Sequence, residues 1–123
     1  MALKRLSLTR GDTQTYTLTF KGGTAGTLYN IKNWEIIFTM KAHWSLPDAN
    51  ASLQKRTPIV ADTPTGVATV TLNPTDTVDL DPGEYDYDFA VRTAANETFT
   101  VMKGKMDLEY DVTRTAGTAG TII

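Results

Sequence analysis

Apolar and polar residues alternate with a period of two in five separate segments of the chain. Such alternation places one set of side chains on each face of a strand, so each segment is predicted to be a half-buried β-strand. In the last of them, the apolar set expected to point inward includes Tyr110 and Val112. The five segments are TYTLTFK (15–21), WEIIFTMK (34–41), GVATVTLN (66–73), EYDYDFAVR (84–92) and KMDLEYDV (105–112).

Three weaker segments complete the predicted strand pattern: LKRLSLT (3–9), ASLQKRT (51–57) and TFTVMKG (98–104). In the third, Phe99 and Val101 are out of phase with Met102 and Met106, which predicts a bulge or bend near Lys103–Gly104. Gly, Pro, Asn and Asp residues separate the segments, as is typical of turns, and no long amphipathic helix is predicted. The sequence therefore predicts an all-β fold, an antiparallel β-sandwich of about seven to eight strands.

One domain is predicted over residues 1–115, because the length of 123 residues is that of a single ordinary domain. The chain contains 22 Thr residues, which favour strands since Thr is β-branched. Residues 116–123 are small and polar up to the last two and are predicted to form a flexible tail. Whether this tail becomes ordered on a partner is left open.

The segment DLDPGEYDYDF has the spacing of the immunoglobulin tyrosine corner, in which a Tyr at the start of a strand bonds back to upstream backbone. Tyr85 takes that role, and Tyr87 stands where an antibody domain has its second Cys. Trp34 opens an earlier strand, as the strand-C Trp does, and Leu18 takes the place of the first Cys. The pattern resembles an Ig-like sandwich with an apolar substitute for the disulfide. The structural core is predicted to include Trp34, Tyr85, Tyr87 and Phe89.

The tripeptide Arg10-Gly11-Asp12 spells an integrin-adhesion signal but lies where a turn is predicted, between the first two strands. Gly11 supplies a permissive backbone at a tight turn, and Asp12 can accept hydrogen bonds from local amides. We therefore interpret the tripeptide as a hairpin corner and expect no adhesion through it.

Composition and charge exclude several classes of protein. Without Cys the chain can form no disulfide, thiolate nucleophile or Cys-ligated zinc site. No run approaches the length of a membrane span, and no basic stripe suits nucleic acid. The net charge of −2 combines +5 in residues 1–60 with −7 in residues 61–123. Six acids and no base lie in 76–88, which predicts a solvated acidic edge or a patch that meets a basic neighbour.

No catalytic signature is present, and no cofactor or metal is expected. His43 is the only His, and no Ser or Asp motif frames it. The acidic segment 76–88 lacks an EF-hand pattern, so a bound cation there is left open. We therefore expect a protein that is not an enzyme.

Taken together, LTRGDTQTYTLTF, LYNIKNWEIIFTMK, GVATVTLNPTDTVDLDPGEYDYDFAV and GKMDLEYDVTR resemble small structural domains of tailed phages. Over roughly residues 10–114 the chain is similar to the N-terminal Ig-like domain of baseplate upper proteins and to short phage and prophage virion proteins. The resemblance implies a non-enzymatic virion structural protein of the tail, baseplate or head–tail junction. It also implies contacts with other virion structural proteins, a possible homo-oligomer, and synthesis in the bacterial host cytoplasm before assembly into the virion.

A second function remains open, namely a carbohydrate-binding or host-adhesion module on the same sandwich. Such modules display aromatic side chains on an exposed face or loop. His43 and Trp44 lie outside the inward-pointing positions and are the candidate contacts with a glycan or a partner protein.

Overall fold

A computed structural model of the chain describes residues 2–22, 27–28, 30–61, 63 and 65–112. Within these residues the structure is predominantly β, which confirms the predicted all-β class. Its helical parts are one short α-helix, α1 (Pro74–Thr77), and one 3-10 turn (Asp48–Asn50). The strands are β1 (Ala2–Leu3), β2 (Leu6–Thr9), β3 (Gln14–Thr19), β4 (Lys21–Gly22), β5 (Thr27–Leu28), β6 (Glu35–Lys41), β7 (Leu53–Pro58), β8 (Val67–Leu72), β9 (Gly83–Arg92) and β10 (Thr98–Glu109).

The larger sheet has the strand order β1-β10-β9-β6-β7, and β2 also pairs with β10. The neighbours among β6, β7, β9 and β10 are antiparallel, whereas β1 and β2 run parallel to β10. The predicted purely antiparallel arrangement is therefore wrong, and the sheet is mixed. The reason is that the first strands of the chain lie beside the last one and run in its direction, so no hairpin can connect them.

The strands β3 and β8 form a separate antiparallel pair that packs against the larger sheet. The ring of Tyr16 on β3 lies 6.3 Å from the ring of Phe38 and 5.5 Å from that of Phe89, measured between centroids. Between the layers lies one hydrophobic core, to which every alternating segment contributes its inward-pointing side chains. A further two-stranded pair joins β4 to β5.

The bulge lies in β10 between Thr100 and Met102, not near Lys103–Gly104 as predicted. Gly104 is needed for a different reason. A Cβ placed on it would overlap the carbonyl oxygen of Lys4, because the N-terminal backbone runs close beside β10 between its two parallel pairings. The Lys4 amide donates to the Lys103 carbonyl oxygen at 3.0 Å, which holds the two segments together.

The strand β10 ends at Glu109, although the alternating pattern continues to residue 112. Tyr110 is 72% exposed and Val112 is 89% exposed, so the prediction that both point inward is wrong. The alternating pattern of side chains can continue beyond a strand, but a strand needs a paired neighbour. The neighbour β2 ends at Thr9, opposite Glu109, and β10 ends there as well.

The tripeptide 10–12 forms the turn that follows β2, but it is not a hairpin corner as interpreted, because β2 pairs with β10 while β3 pairs with β8 in the other sheet. The Asp12 amide donates to the Thr9 carbonyl oxygen at 3.1 Å, and Gly11 has a φ of +82°, which a residue with a Cβ rarely adopts. Arg10 is only 6% exposed, and its Nε donates to Asp111 Oδ1 at 2.7 Å. The guanidinium that an adhesion signal must present is thus buried within the protein.

Candidate binding surface

Three of the residues predicted for the structural core lie on β9 and are buried. The Tyr85 hydroxyl donates to the carbonyl oxygen of Asp81, four residues upstream, at 2.5 Å. This is the bond that the tyrosine-corner spacing predicts. The Tyr87 hydroxyl donates to the Lys4 carbonyl oxygen at 2.6 Å, and Phe89 lies in the centre of the core. Burial raises the pKa of both Tyr hydroxyls above the ordinary value, so both remain hydrogen-bond donors to a higher pH than a solvent-exposed Tyr.

Trp34 lies one residue before β6 and is half-buried at the margin of the core. Its ring packs edge-to-face on Phe20, at 5.4 Å between centroids. The β6 ring that contacts Tyr87 is Phe38, at 6.1 Å. Sequence reasoning assigned the central position to the Trp, although the alternation in 34–41 also marked Phe38 as inward.

His43 and Trp44 lie together in the exposed loop after β6. Their rings stack at 5.4 Å between centroids, and His43 Nδ1 lies 2.6 Å from Ser45 Oγ. Trp44 is 72% exposed, yet its backbone amide donates to Asp86 Oδ2 at 2.8 Å. The loop is therefore attached to the larger sheet, while the indole faces solvent.

A groove of about 270 Å³ lies beside this loop, on the face of the larger sheet that points away from the core. We call it the outer groove. Outward-pointing side chains of β6, β7, β9 and β10 line it, and Trp44 forms part of its wall. Besides Trp44, the charged side chains that line the groove are Lys41, Arg56, Asp86, Asp88 and Lys103, together with Asp48 of the 3-10 turn.

Most charged groups of the outer groove are already paired. Lys41 Nζ lies 2.8 Å from Asp48 Oδ1, which lowers the pKa of Asp48. Burial alone would raise the pKa of Asp86, but hydrogen bonds from Lys105 and from the Trp44 amide lower it overall. These two carboxylates therefore remain ionised, and each already accepts hydrogen bonds from other residues of the chain.

Asp88 is the exception among these acids, since its carboxylate accepts no hydrogen bond from any residue that the structure describes. It is half-buried at the centre of the larger sheet, opposite Thr39 on β6 and Lys103 on β10. Burial raises the pKa of Asp88, an effect that Lys41 and Lys103 oppose and Asp48 reinforces. Sequence reasoning treated Asp88 only as part of an acidic run, although the alternation in 84–92 already placed it on the outward face.

The acidic segment 76–88 is partly neutralised within the chain. Asp76 accepts from the Asn73 amide at 2.7 Å, at the start of α1, and from Lys55 at 3.1 Å. Glu84 pairs with Arg5 at 2.7 Å. Across the described residues, no group of three or more His, Asp or Glu side chains is placed to hold a metal ion. The segment is thus less acidic toward a partner than its sequence suggests.

A second concavity, of about 630 Å³, lies at the opposite end of the larger sheet beside the β9–β10 hairpin. Its apolar wall includes Phe20, Trp34 and Phe99. The tail predicted at 116–123 lies outside the described residues.

No protein-family model matches the chain, and a search of curated proteins finds no similar one. Within the described ranges, no helix is long and apolar enough to cross a membrane.

Proposed function

We propose that the chain is a non-enzymatic structural protein of a phage virion, built on an Ig-like sandwich and acting through protein–protein contacts. Its place would be in the tail, the baseplate or the head–tail junction, with other virion proteins or further copies of itself as partners. The observation that carries the proposal is the unprotected edge of the β3–β8 pair, which suits assembly by strand addition.

The strand order supports the Ig-like assignment. In that architecture the strands G, F, C and C′ form one sheet, and B pairs with E in the other. The order β10-β9-β6-β7 and the pair β3-β8 correspond to these two sets. The tyrosine-corner bond from Tyr85 is a second, independent correspondence, because it lies at the start of the strand in the F position.

The strand edges differ in how they are protected against pairing. Proteins protect an exposed edge with Lys, other charges or Pro. The edge strand β7 carries Lys55, Arg56 and Pro58, and so is protected. The strands β3 and β8 read QTYTLT and VATVTL, with neither a charge nor a Pro in six residues each, and no other described strand pairs with them. An uncharged free edge of this kind invites strand addition by a partner.

Light scattering during size-exclusion chromatography tests the proposal on the full chain. The chain is run alone and with the structural proteins encoded by the genes that surround its own. We expect an oligomer or a stable complex, which Thr17→Lys should weaken because it adds a charge to exposed β3. Thr100→Lys is the matched control, since Thr100 is also exposed but lies on β10 of the larger sheet, opposite Ala90, and not on the β3–β8 pair.

Two results would count against the proposal. The first is a strict monomer that binds none of the neighbouring gene products. The second is an equal effect of the two Lys variants, which would remove β3 as the contact. A gene neighbourhood without tail, baseplate or capsid genes would reject the virion assignment itself.

A further inference from the structure

We propose that the outer groove binds a neutral saccharide, with the Trp44 indole as a stacking platform and the Asp88 carboxylate as a hydrogen-bond acceptor for sugar hydroxyls. This site is separate from the β3–β8 edge and goes beyond the assembly role proposed above. Four observations on the groove lead to this ligand class.

The first observation is an aromatic side chain that is exposed yet anchored. The Trp44 indole has its amide attached to Asp86 and its ring stacked on His43. A large apolar side chain that is 72% exposed gains little in the free protein. It is, however, prepared to bury its face against the C–H surface of a sugar ring without first becoming ordered.

The second observation is the unpaired acceptor. A half-buried carboxylate that accepts no hydrogen bond from the protein has lost part of its hydration without compensation from another residue. Asp88 is in this state, as the direction of its pKa shift also indicates. A hydroxyl donor entering the groove would supply the missing bond, and ionised acceptors form the stronger class of such bonds.

The third observation is the charge balance of the groove. Three cations, Lys41, Arg56 and Lys103, face three carboxylates, Asp48, Asp86 and Asp88. Arg56 is paired with Glu35 at 2.8 Å, so it is not available to hold an anionic ligand. Because the positive and negative side chains balance, the groove has no net charge that would attract an anionic or a cationic ligand. A neutral ligand with both hydrogen-bond donors and acceptors therefore fits best.

The fourth observation is the size of the groove. Its volume of about 270 Å³ lies just below the roughly 300–1,000 Å³ of pockets that take drug-sized ligands. A groove of this size suits one or two sugar rings that lie along the sheet. A folded peptide element would need a larger surface.

A glycan array with neutral, acidic and aminated oligosaccharides, followed by titration calorimetry with the strongest neutral oligosaccharide, tests the site on the full chain. We expect binding that Trp44→Ala abolishes and that Asp88→Asn weakens at least tenfold. Tyr110→Ala is the matched control for the first variant, because Tyr110 is also 72% exposed but does not line the groove. Asp79→Asn, at an exposed acid that does not line the groove, is the control for the second.

Loss of binding in Trp44→Ala and Asp88→Asn but not in their controls would support the site, provided that the variants keep the far-UV circular dichroism of the parent chain. Binding to none of the neutral oligosaccharides, or only to acidic or aminated ones, would overturn the proposal. So would full binding by Trp44→Ala. The groove variants should leave the oligomer or complex unchanged, and Thr17→Lys should leave glycan binding unchanged, so failure of one proposal is distinguishable from failure of the other.

Discussion

The hydroxyl of Tyr16 is buried and has no hydrogen-bond partner within the described residues. Its ring nevertheless packs between the two layers, against Phe38 and Phe89. Burying a hydroxyl without a hydrogen bond costs about 1–3 kcal/mol in protein mutational data. Tyr16→Phe keeps the ring and removes only the oxygen. We therefore expect the variant to raise the free energy of unfolding at pH 7 by about 1–2 kcal/mol.

The same hydroxyl makes the fold sensitive to alkaline pH. Burial, with a smaller contribution from Tyr87, raises the pKa of Tyr16 from 10.0 to about 12. Above pH 10 the unfolded chain loses this proton while the folded chain keeps it, so stability falls as the pH rises toward 12. Because the side chain is only half-buried and solvent screens part of the effect, the loss amounts to about 1–2 kcal/mol across that window, below the limit of roughly 1.4 kcal/mol per pH unit. In Tyr16→Phe this part of the loss is absent.

Urea unfolding followed by circular dichroism, in steps from pH 7 to pH 12, measures both effects. The stability difference between variant and parent should be positive at pH 7 and should widen above pH 10. Tyr85→Phe is the control, because it removes a hydroxyl that has a partner and should therefore destabilise the fold at neutral pH. A Tyr16→Phe variant that is less stable than the parent at pH 7, or a difference that is constant with pH, would refute the reasoning.

Three further substitutions test the close approach of the N-terminal backbone to β10, the buried turn and the tyrosine corner, each by urea unfolding at pH 7. Gly104→Ala should cost about 1–3 kcal/mol, since its Cβ would overlap the Lys4 carbonyl oxygen; an unchanged midpoint would show that the backbone at Lys4 can move aside. Arg10→Ala should cost about 3–5 kcal/mol because it leaves the Asp111 carboxylate buried without this cation; a cost below 1 kcal/mol would contradict the buried pair. Tyr85→Phe should cost about 0.5–1.5 kcal/mol, the net value of one hydrogen bond, and a neutral result would leave the corner without a stabilising role.

The sequence predicted the strands that form the core better than it predicted their pairing. Alternation identified β3, β6, β8 and β9, because each of these strands is at least six residues long and its inward-pointing side chains are apolar. It could not indicate that β2 lies beside β10, since periodicity carries no information about which strands are neighbours. Gly104 was misread as the mark of a bulge because a glycine looks the same in sequence whether it relieves backbone strain or allows another chain segment to approach.

The candidate site was predictable only in part. Trp44 was identified because it lies outside the inward-pointing positions, and the structure places it on the outer groove. Asp88 was not singled out, since six acids in one segment appear equivalent until their partners are known. Lys105 donates a hydrogen bond to Asp86, and Lys55 donates one to Asp76. Only tertiary structure distinguishes the acid without a hydrogen bond from the others.

The parallel pairing of β2 with β10 also determines when the protein can fold during its synthesis. Arg5, just before β2, bonds to Asp107 on β10, a residue 102 positions later in the chain. The ribosome therefore releases β2 long before its partner strand exists. Such distant pairing is typical of chains that fold in milliseconds to seconds. Folding of the larger sheet is thus completed only after β10 has left the ribosome, and a nascent chain that stops before β10 leaves Leu6 and Leu8 exposed to solvent.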